Sequence, residues 1–134
     1  GYVNISRSWQ KNDVVVLNLN IKPQRIYANT KVRANAGNVA LMYGPLVYCF
    51  EECDNGADLS ALRLPRDSEI RFVKKHVNQI GEIVVLETEG LRAKSSDALY
   101  SSTPPSKEKT TLTAIPYYTW GNRCQGGMRV WLIE

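Results

Sequence analysis

The chain has 134 residues, of which 43% are hydrophobic and 22% are charged, so it can form one globular domain with a buried core. Its net charge of +4 comes from basic residues that stand beside acidic ones, whereas nucleic-acid-binding proteins concentrate positive charge on one face. No apolar run approaches the roughly 20 residues that a membrane helix needs. We therefore expect a soluble domain with no nucleic-acid partner and no membrane role.

Residues 1–22 have the pattern of a β-hairpin. Val3, Ile5 and Trp9 lie on one side of the first arm, and alternate residues from Val15 to Ile21 lie on one side of the second. The intervening Gln-Lys-Asn-Asp is typical of a turn. Because this pattern begins directly after Gly1 rather than an initiator Met, we expect a fragment of a longer chain, with the hairpin belonging partly to a preceding sandwich.

The middle of the chain contains a strand that is predicted to be buried on both faces. Residues 46–50 are almost all apolar and follow a kink at Gly44-Pro45, which suits the interior of a sandwich. The adjacent Glu51 and Glu52 would point to opposite faces of an extended strand. They are therefore interpreted as the charged end of the strand rather than as a catalytic pair.

The second half of the chain predicts more strands and one long loop. Asp58 is a candidate N-cap for a short helical turn that ends before Pro65. Strands are expected at 69–73, 83–87, 110–115 and 128–133, and the Ser-, Thr- and Pro-rich segment 94–109 is expected to be a surface loop. Together these patterns predict an all-β fold. Specifically, we expect one antiparallel, jelly-roll-like β-sandwich over residues 1–134, with eight or nine strands and little helix.

The three cysteines and the single histidine fit neither a disulfide framework nor a zinc site. An extended chain would separate Cys49 from Cys53 by about 13 Å, too far for a bridge. The spacing of these cysteines, Cys124 and His76 also lacks the close ligand pairs of structural zinc sites. We therefore expect no metal site, with Cys49 as a buried apolar residue, Cys124 as a candidate exposed thiol and His76 as a solvated residue.

The motifs of common catalytic sites are absent, and one aromatic stretch remains as a candidate site. The segment Ile-Pro-Tyr-Tyr-Thr-Trp-Gly-Asn-Arg begins at residue 115. Aromatic faces stack on sugars, and an amide or guanidinium can bind hydroxyl groups; the same rings could instead close the domain or dock against a neighbouring one. Both interpretations stay open for the candidate residues, which are Tyr117, Tyr118, Trp120, Asn122 and Arg123.

Three stretches together resemble a known family. They are GYVNISRSWQKNDVVVLNL at the start, NVALMYGPLVYCFEE in the middle and AIPYYTWGNRCQGGMRVWL at the end. Their order and spacing are similar to the C-terminal region of the bacterial β-L-arabinofuranosidases of glycoside hydrolase family 127, formerly a domain of unknown function. The run from Val39 to Leu41 and from Gly44 to Cys49 carries most of the resemblance. Cys124 and Gln125 depart from it, because the family loop there is typically rich in Gly and Pro.

The resemblance implies a catalytic (α/α) barrel elsewhere in a bacterial parent chain. In that family the barrel holds a cysteine nucleophile in a zinc-bound cysteine and glutamate cluster, which no cysteine of this fragment matches. No catalytic residue and no cofactor are therefore expected here, although zinc is implied for the parent. The expected role is a non-catalytic domain that stabilises or orients the barrel. The alternatives are a carbohydrate-binding module for plant-derived, arabinose-containing glycans and a homodimerisation domain. The sequence does not predict the cell compartment.

Overall fold

The computed structural model describes residues 1–134 and contains mostly strands. The strands are β1 (Pro23–Tyr27), β2 (Asn38–Tyr43), β3 (Leu46–Glu51), β4 (Leu62–Arg63), β5 (Ile70–Val77), β6 (Gly81–Ala93), β7 (Lys107–Pro116), β8 (Met128–Arg129) and β9 (Leu132–Ile133). Helical structure is limited to α1 (Glu52–Asn55) and to 3₁₀ turns at Arg33–Asn35, Leu59–Ala61 and Tyr117–Thr119. The predicted all-β class with little helix is confirmed, and no helix is both long and apolar enough to cross a membrane.

The strands wrap around a common interior. The hydrogen-bonded order is β1-β2-β9-β4-β6-β7-β3-β8, and β5 pairs with the long strand β6. Within this order, β2 and β3 are the two ends of the series β2-β9-β4-β6-β7-β3. They also pair with each other, so these six strands form a closed ring. All pairings are antiparallel except that of β4 with β9. The predicted antiparallel arrangement therefore has one parallel exception, where Arg63 lies beside Ile133.

The central strands contribute side chains to apolar clusters on both of their faces. On β3, Tyr48 and Phe50 enter the main core, whereas Cys49 packs in a second cluster with Ile83 and Ile115. This alternation follows from the two-residue period of a strand. The predicted two-sided burial of residues 46–50 is confirmed for Tyr48, Cys49 and Phe50, which are each 0% exposed, but it is wrong for Leu46 and Val47, which are exposed at the start of the strand. The main core consists of Val39, Leu41, Tyr48, Phe50, Leu59, Leu62, Leu64, Leu86, Leu112, Ala114 and Leu132.

Residues 1–22 do not form the predicted hairpin. The turn is present, since the Asp13 amide donates to the Gln10 carbonyl at 3.1 Å, but no strand precedes Pro23. Amphipathic alternation predicts a strand only where another surface covers its apolar side, and this chain supplies none. The exposed large apolar residues of this segment are Tyr2, Val3, Ile5, Trp9, Val14, Val15, Val16, Leu17, Leu19 and Ile21.

The loops agree with the sequence patterns in position but differ in detail. Residues 94–106 join β6 to β7, and the Lys94 amide donates to the Ser106 carbonyl at 2.8 Å; the last three residues assigned to this loop instead begin β7. The short helical turn is confirmed at Leu59–Ala61. Asp58 occupies the N-cap position, as predicted, but its side chain makes no capping hydrogen bond. His76 is exposed, as predicted.

Candidate functional site

The segment from Tyr117 to Gly127, which we call the aromatic loop, carries all the predicted site residues. It begins with a 3₁₀ turn directly after Pro116. The buried Thr119 hydroxyl donates to the Pro116 carbonyl at 2.7 Å, and the Trp120 amide donates to the Tyr117 carbonyl at 3.1 Å. Because Thr119 is the inward-facing residue of this turn, the aromatic residues around it are left at the surface.

Three aromatic side chains form the exposed face of the loop. Tyr117, Tyr118 and Trp120 are 45%, 61% and 45% exposed. The Tyr117 and Trp120 rings have centroids 6.1 Å apart at an interplanar angle of 38°, which is within the range of favourable aromatic pairs. The structure thus brings the predicted aromatic residues together, with ring surface available for contact.

The predicted polar residues of the site are engaged within the domain. The side-chain amide of Asn122 donates to the carbonyls of Thr119 and Trp120 at 3.1 and 3.2 Å. Arg123 donates from Nη1 to Asp54 Oδ1 at 2.9 Å and from Nη2 to Glu51 Oε2 at 2.5 Å. These partners fix the loop and occupy the groups that would otherwise bind the hydroxyls of a ligand.

Arg123 lies in a compact ionic cluster with Glu51 and Asp54. The Glu51 side chain is 4% exposed and the other two are 20% exposed. Glu51 also accepts a hydrogen bond at 2.8 Å from the amide of Gly121, whose positive φ of 75° favours glycine. Hydrogen bonds, first to Asp54 and then to Glu51, raise the pKa of Arg123 despite its partial burial. The guanidinium is thus a permanent cation facing two carboxylates.

A disulfide between Cys53 and Cys124 joins the same two segments, with the Cα atoms 6.5 Å apart. The expectations that no disulfide forms and that Cys124 is an exposed thiol are therefore wrong. The short spacing between Cys49 and Cys53 excludes a bridge between those two residues only. The actual partners are separated by 71 residues and meet because β3 and β8 are neighbours.

Glu52 makes the last connection between α1 and the aromatic loop. Its amide donates to the Gly127 carbonyl at 3.1 Å, and its carboxylate accepts from the Gly127 amide at 2.7 Å. A Cβ atom at Gly126 or Gly127 would lie about 3 Å from the Glu52 carboxylate oxygens. The two glycines therefore allow the loop to approach the acidic side chain closely.

Glu51, Cys53 and Asp54 also place potential metal ligands within 4.8 Å of one another. In this arrangement the sulfur of Cys53 belongs to the disulfide, and both carboxylates bind Arg123. A cysteine binds a metal ion as a free thiolate, whereas the groups arranged here form a disulfide and ion pairs with Arg123. Sequence reasoning missed the partners of Arg123, although acidic residues at the end of β3 were noted.

Comparisons with known proteins identify relatives over most of the chain. The family model for the glycoside hydrolase family 127 C-terminal domain matches residues 23–133. A non-reducing end β-L-arabinofuranosidase of Bifidobacterium longum subsp. longum is 37% identical over 87% of this chain and 19% of its own length. The crystal structure of a family 127 β-L-arabinofuranosidase from Geobacillus stearothermophilus T6 superimposes with a TM-score of 0.81 at 43% identity, covering 85% of this chain and 18% of that one.

A second solved structure, a family 127 β-arabinofuranosidase, has a TM-score of 0.74 at 30% identity over 85% of this chain and 17% of its own. The chain thus spans about a fifth of the length of the relatives that it matches. The family match begins at Pro23, where the first strand begins.

Proposed function

Because the chain belongs to the C-terminal domain family of glycoside hydrolase family 127, we propose that it is a non-catalytic domain that stabilises or orients a catalytic domain of the same, longer protein. The resemblance implies that this catalytic domain is an (α/α) barrel. The observation that carries the proposal is that the chain has a buried core of its own and also two exposed apolar surfaces, which are residues 1–22 and the rings of the aromatic loop.

Residues 1–22 are the stronger of the two contact candidates. Trp9 is 54% exposed, and Val16 and Leu17 are 82% and 78% exposed. Large contiguous apolar surfaces are uncommon on soluble domains and mark contacts. The charged groups Arg7 and Asp13 pair with each other at 3.1 Å near the turn, which leaves the apolar residues to face a partner. We propose that this segment packs against the domain that precedes it in the parent protein.

The aromatic loop supports docking more strongly than sugar binding. Sugar sites combine ring surfaces with polar groups that are free to bind hydroxyls. Here Asn122 bonds to the backbone of its own loop, and Arg123 bonds to Glu51 and Asp54. Tyr and Trp suit half-covered interfaces because each has a large apolar ring with one polar group.

Catalysis by the isolated chain is the first test. The purified chain should not hydrolyse an aryl β-L-arabinofuranoside, whereas the full-length parent should. Hydrolysis that co-purifies with the isolated chain and persists in the presence of a chelator would contradict a non-catalytic role.

Hydrogen exchange tests the docking itself. We expect amides of residues 1–22 and 117–120 to exchange more slowly in the full-length parent than in the isolated chain, because the partner domain covers them. In the parent, Leu17→Asp and Trp120→Ala should lower the melting temperature. Tyr100→Ala is the matched control, since Tyr100 is 93% exposed on the separate 94–106 loop. Equal exchange in both forms would contradict the docking.

A carbohydrate-binding role is the second candidate, favoured by the adjacent exposed rings of Tyr117 and Trp120. It predicts saturable binding of arabinan or arabinogalactan oligosaccharides to the isolated chain, and loss of that binding in Trp120→Ala with the fold intact. Calorimetric titration and tryptophan emission would measure it. No response up to millimolar sugar would contradict this candidate, and a doubled mass in solution would instead favour dimerisation.

A further inference from the structure

We propose that the Cys53–Cys124 disulfide is a redox-sensitive clasp that holds the aromatic loop in place. Reduction would release the loop locally while the β-sheet stays folded. This proposal concerns the isolated chain and does not depend on what the aromatic face contacts.

The loop is attached to the rest of the domain through one short region, residues 51–54. The connections are the Arg123 ion pairs, the Gly121 amide on Glu51 and the mutual hydrogen bonds of Glu52 and Gly127. The disulfide is the covalent member of this set. These connections between the middle of the loop and the rest of the domain therefore converge on the end of β3 and on α1.

The disulfide and the ionic cluster support each other because they are adjacent in the chain. Cys124 follows Arg123, and Cys53 precedes Asp54. With the disulfide closed, Arg123 is held near its carboxylates, so the ion pairs form at little additional entropic cost. After reduction, the same partly buried groups would have to order the loop without that constraint, so their ion pairs would form at a higher entropic cost.

The chemistry of the clasp is thiol–disulfide exchange. A dithiol reductant attacks a sulfur of the bond as a thiolate and forms a mixed disulfide; its second thiolate then displaces the protein sulfur. The net change transfers two electrons and two protons, giving two protein thiols and an oxidised, cyclic reductant. Cys53 is exposed and Cys124 is partly exposed, so the bond is accessible to a small dithiol.

Thiol counting tests whether the clasp exists. The chain has three cysteines, and Cys49 is the free one. Burial first, and the nearby Glu51 second, raise the pKa of Cys49 to about 12, so its thiol should resist alkylation in the folded chain. A maleimide should label no thiol in the native oxidised chain, one after denaturation without reductant, and two in the native chain after dithiothreitol treatment and removal. Three labelled thiols after denaturation without reductant would overturn the proposal.

Hydrogen exchange tests whether the clasp controls the loop. On reduction, we expect the amides of Gly121 and Gly127 to exchange about tenfold faster or more, while the paired amides of β6 and β7 keep their rates. The double variant Cys53→Ser/Cys124→Ser should show the fast rates with or without dithiothreitol, and reoxidation should restore slow exchange only in the unsubstituted chain. Unchanged loop rates would overturn the proposal, as would an equal acceleration in β6 and β7, which would indicate global destabilisation.

Discussion

Replacement of Arg123 by Met should destabilise the folded chain, because it leaves a buried carboxylate without its cation. Met keeps an unbranched apolar chain of similar reach, so the packing of the aliphatic part is largely preserved. The lost contacts are the hydrogen bonds and ion pairs to Glu51 and Asp54. The Glu51 side chain is only 4% exposed and would depend on the Gly121 amide alone.

The expected loss follows from the burial of the pair. Removal of one partner of a fully buried ion pair costs about 3–5 kcal/mol, whereas exposed pairs contribute about 0–1 kcal/mol. Arg123 and Asp54 are each 20% exposed, and Glu51 keeps one hydrogen bond, so we expect a value near the lower end, about 3 kcal/mol. Arg123→Lys should lose less, because the charge remains while the forked geometry is lost.

Urea denaturation of the oxidised chain, followed by tryptophan emission, measures this loss as a shift of the midpoint at constant slope. Arg66→Met is the matched control: Arg66 also pairs with a carboxylate, Glu134, but its side chain is 81% exposed, so we expect little change. In a double-mutant cycle, Glu51→Gln should cost less in the Arg123→Met background than alone. A loss below about 0.5 kcal/mol for Arg123→Met, or additive effects in the cycle, would refute the reasoning.

Three further predictions concern the rest of the domain. Asn55→Ala should cost about 2 kcal/mol in urea denaturation, because Asn55 exchanges hydrogen bonds of 2.8–2.9 Å with the backbone of Thr113. Asn55→Asp should cost more, because a carboxylate oxygen would replace the amide group that donates to the Thr113 and Glu51 carbonyls. Burial raises the pKa of Tyr48 to about 12, so its stabilising contribution is complete below pH 10 and is lost as the pH rises towards 12. Between these pH values, the urea midpoint of Tyr48→Phe should therefore fall less steeply than that of the unsubstituted chain. Gly90→Ala should lower the melting temperature markedly, because its Cβ would lie 2.3 Å from Leu112 Cδ1; an unchanged value would show that the core yields at no cost.

The sequence contained enough information to predict the central strands. The apolar run of β3 indicates two covered faces, and the structure places Tyr48 and Cys49 in separate clusters. The acidic pair correctly marks the end of this strand, since β3 ends at Glu51 and α1 begins at Glu52. These features are local, and the period of the side chains alone determines them.

Contacts between distant segments could not be predicted in the same way. The disulfide joins residues 71 positions apart, and β4 meets β9 across a similar separation. Such contacts depend on which strands become neighbours, and a single sequence gives no distances between them. The roles of Asn122 and Arg123 could not be predicted for the same reason. Whether their side chains are free to bind a ligand depends on the partners that the fold gives them.

Residues 1–22 show a different limit of sequence patterns. Their alternation predicts one apolar side, but it does not say which surface would cover that side. A two-stranded hairpin without further strands is at best marginally stable in water, so the apolar residues remain exposed when the covering partner is absent. The failed hairpin prediction and the proposed docking of this segment therefore have the same physical cause.

The aromatic loop joins the structural inferences into one argument about docking. A surface that is already ordered loses less conformational entropy when it binds, and the clasp and the Arg123 cluster order the backbone that carries Tyr117, Tyr118 and Trp120. If the loop docks in the parent protein, Cys53→Ser/Cys124→Ser should weaken the contact as well as loosen the loop. Trp120 should then be less protected from solvent in the parent variant than in the unsubstituted parent, as measured by acrylamide quenching. Equal protection of Trp120 in the two parent proteins would show that docking does not depend on the disulfide.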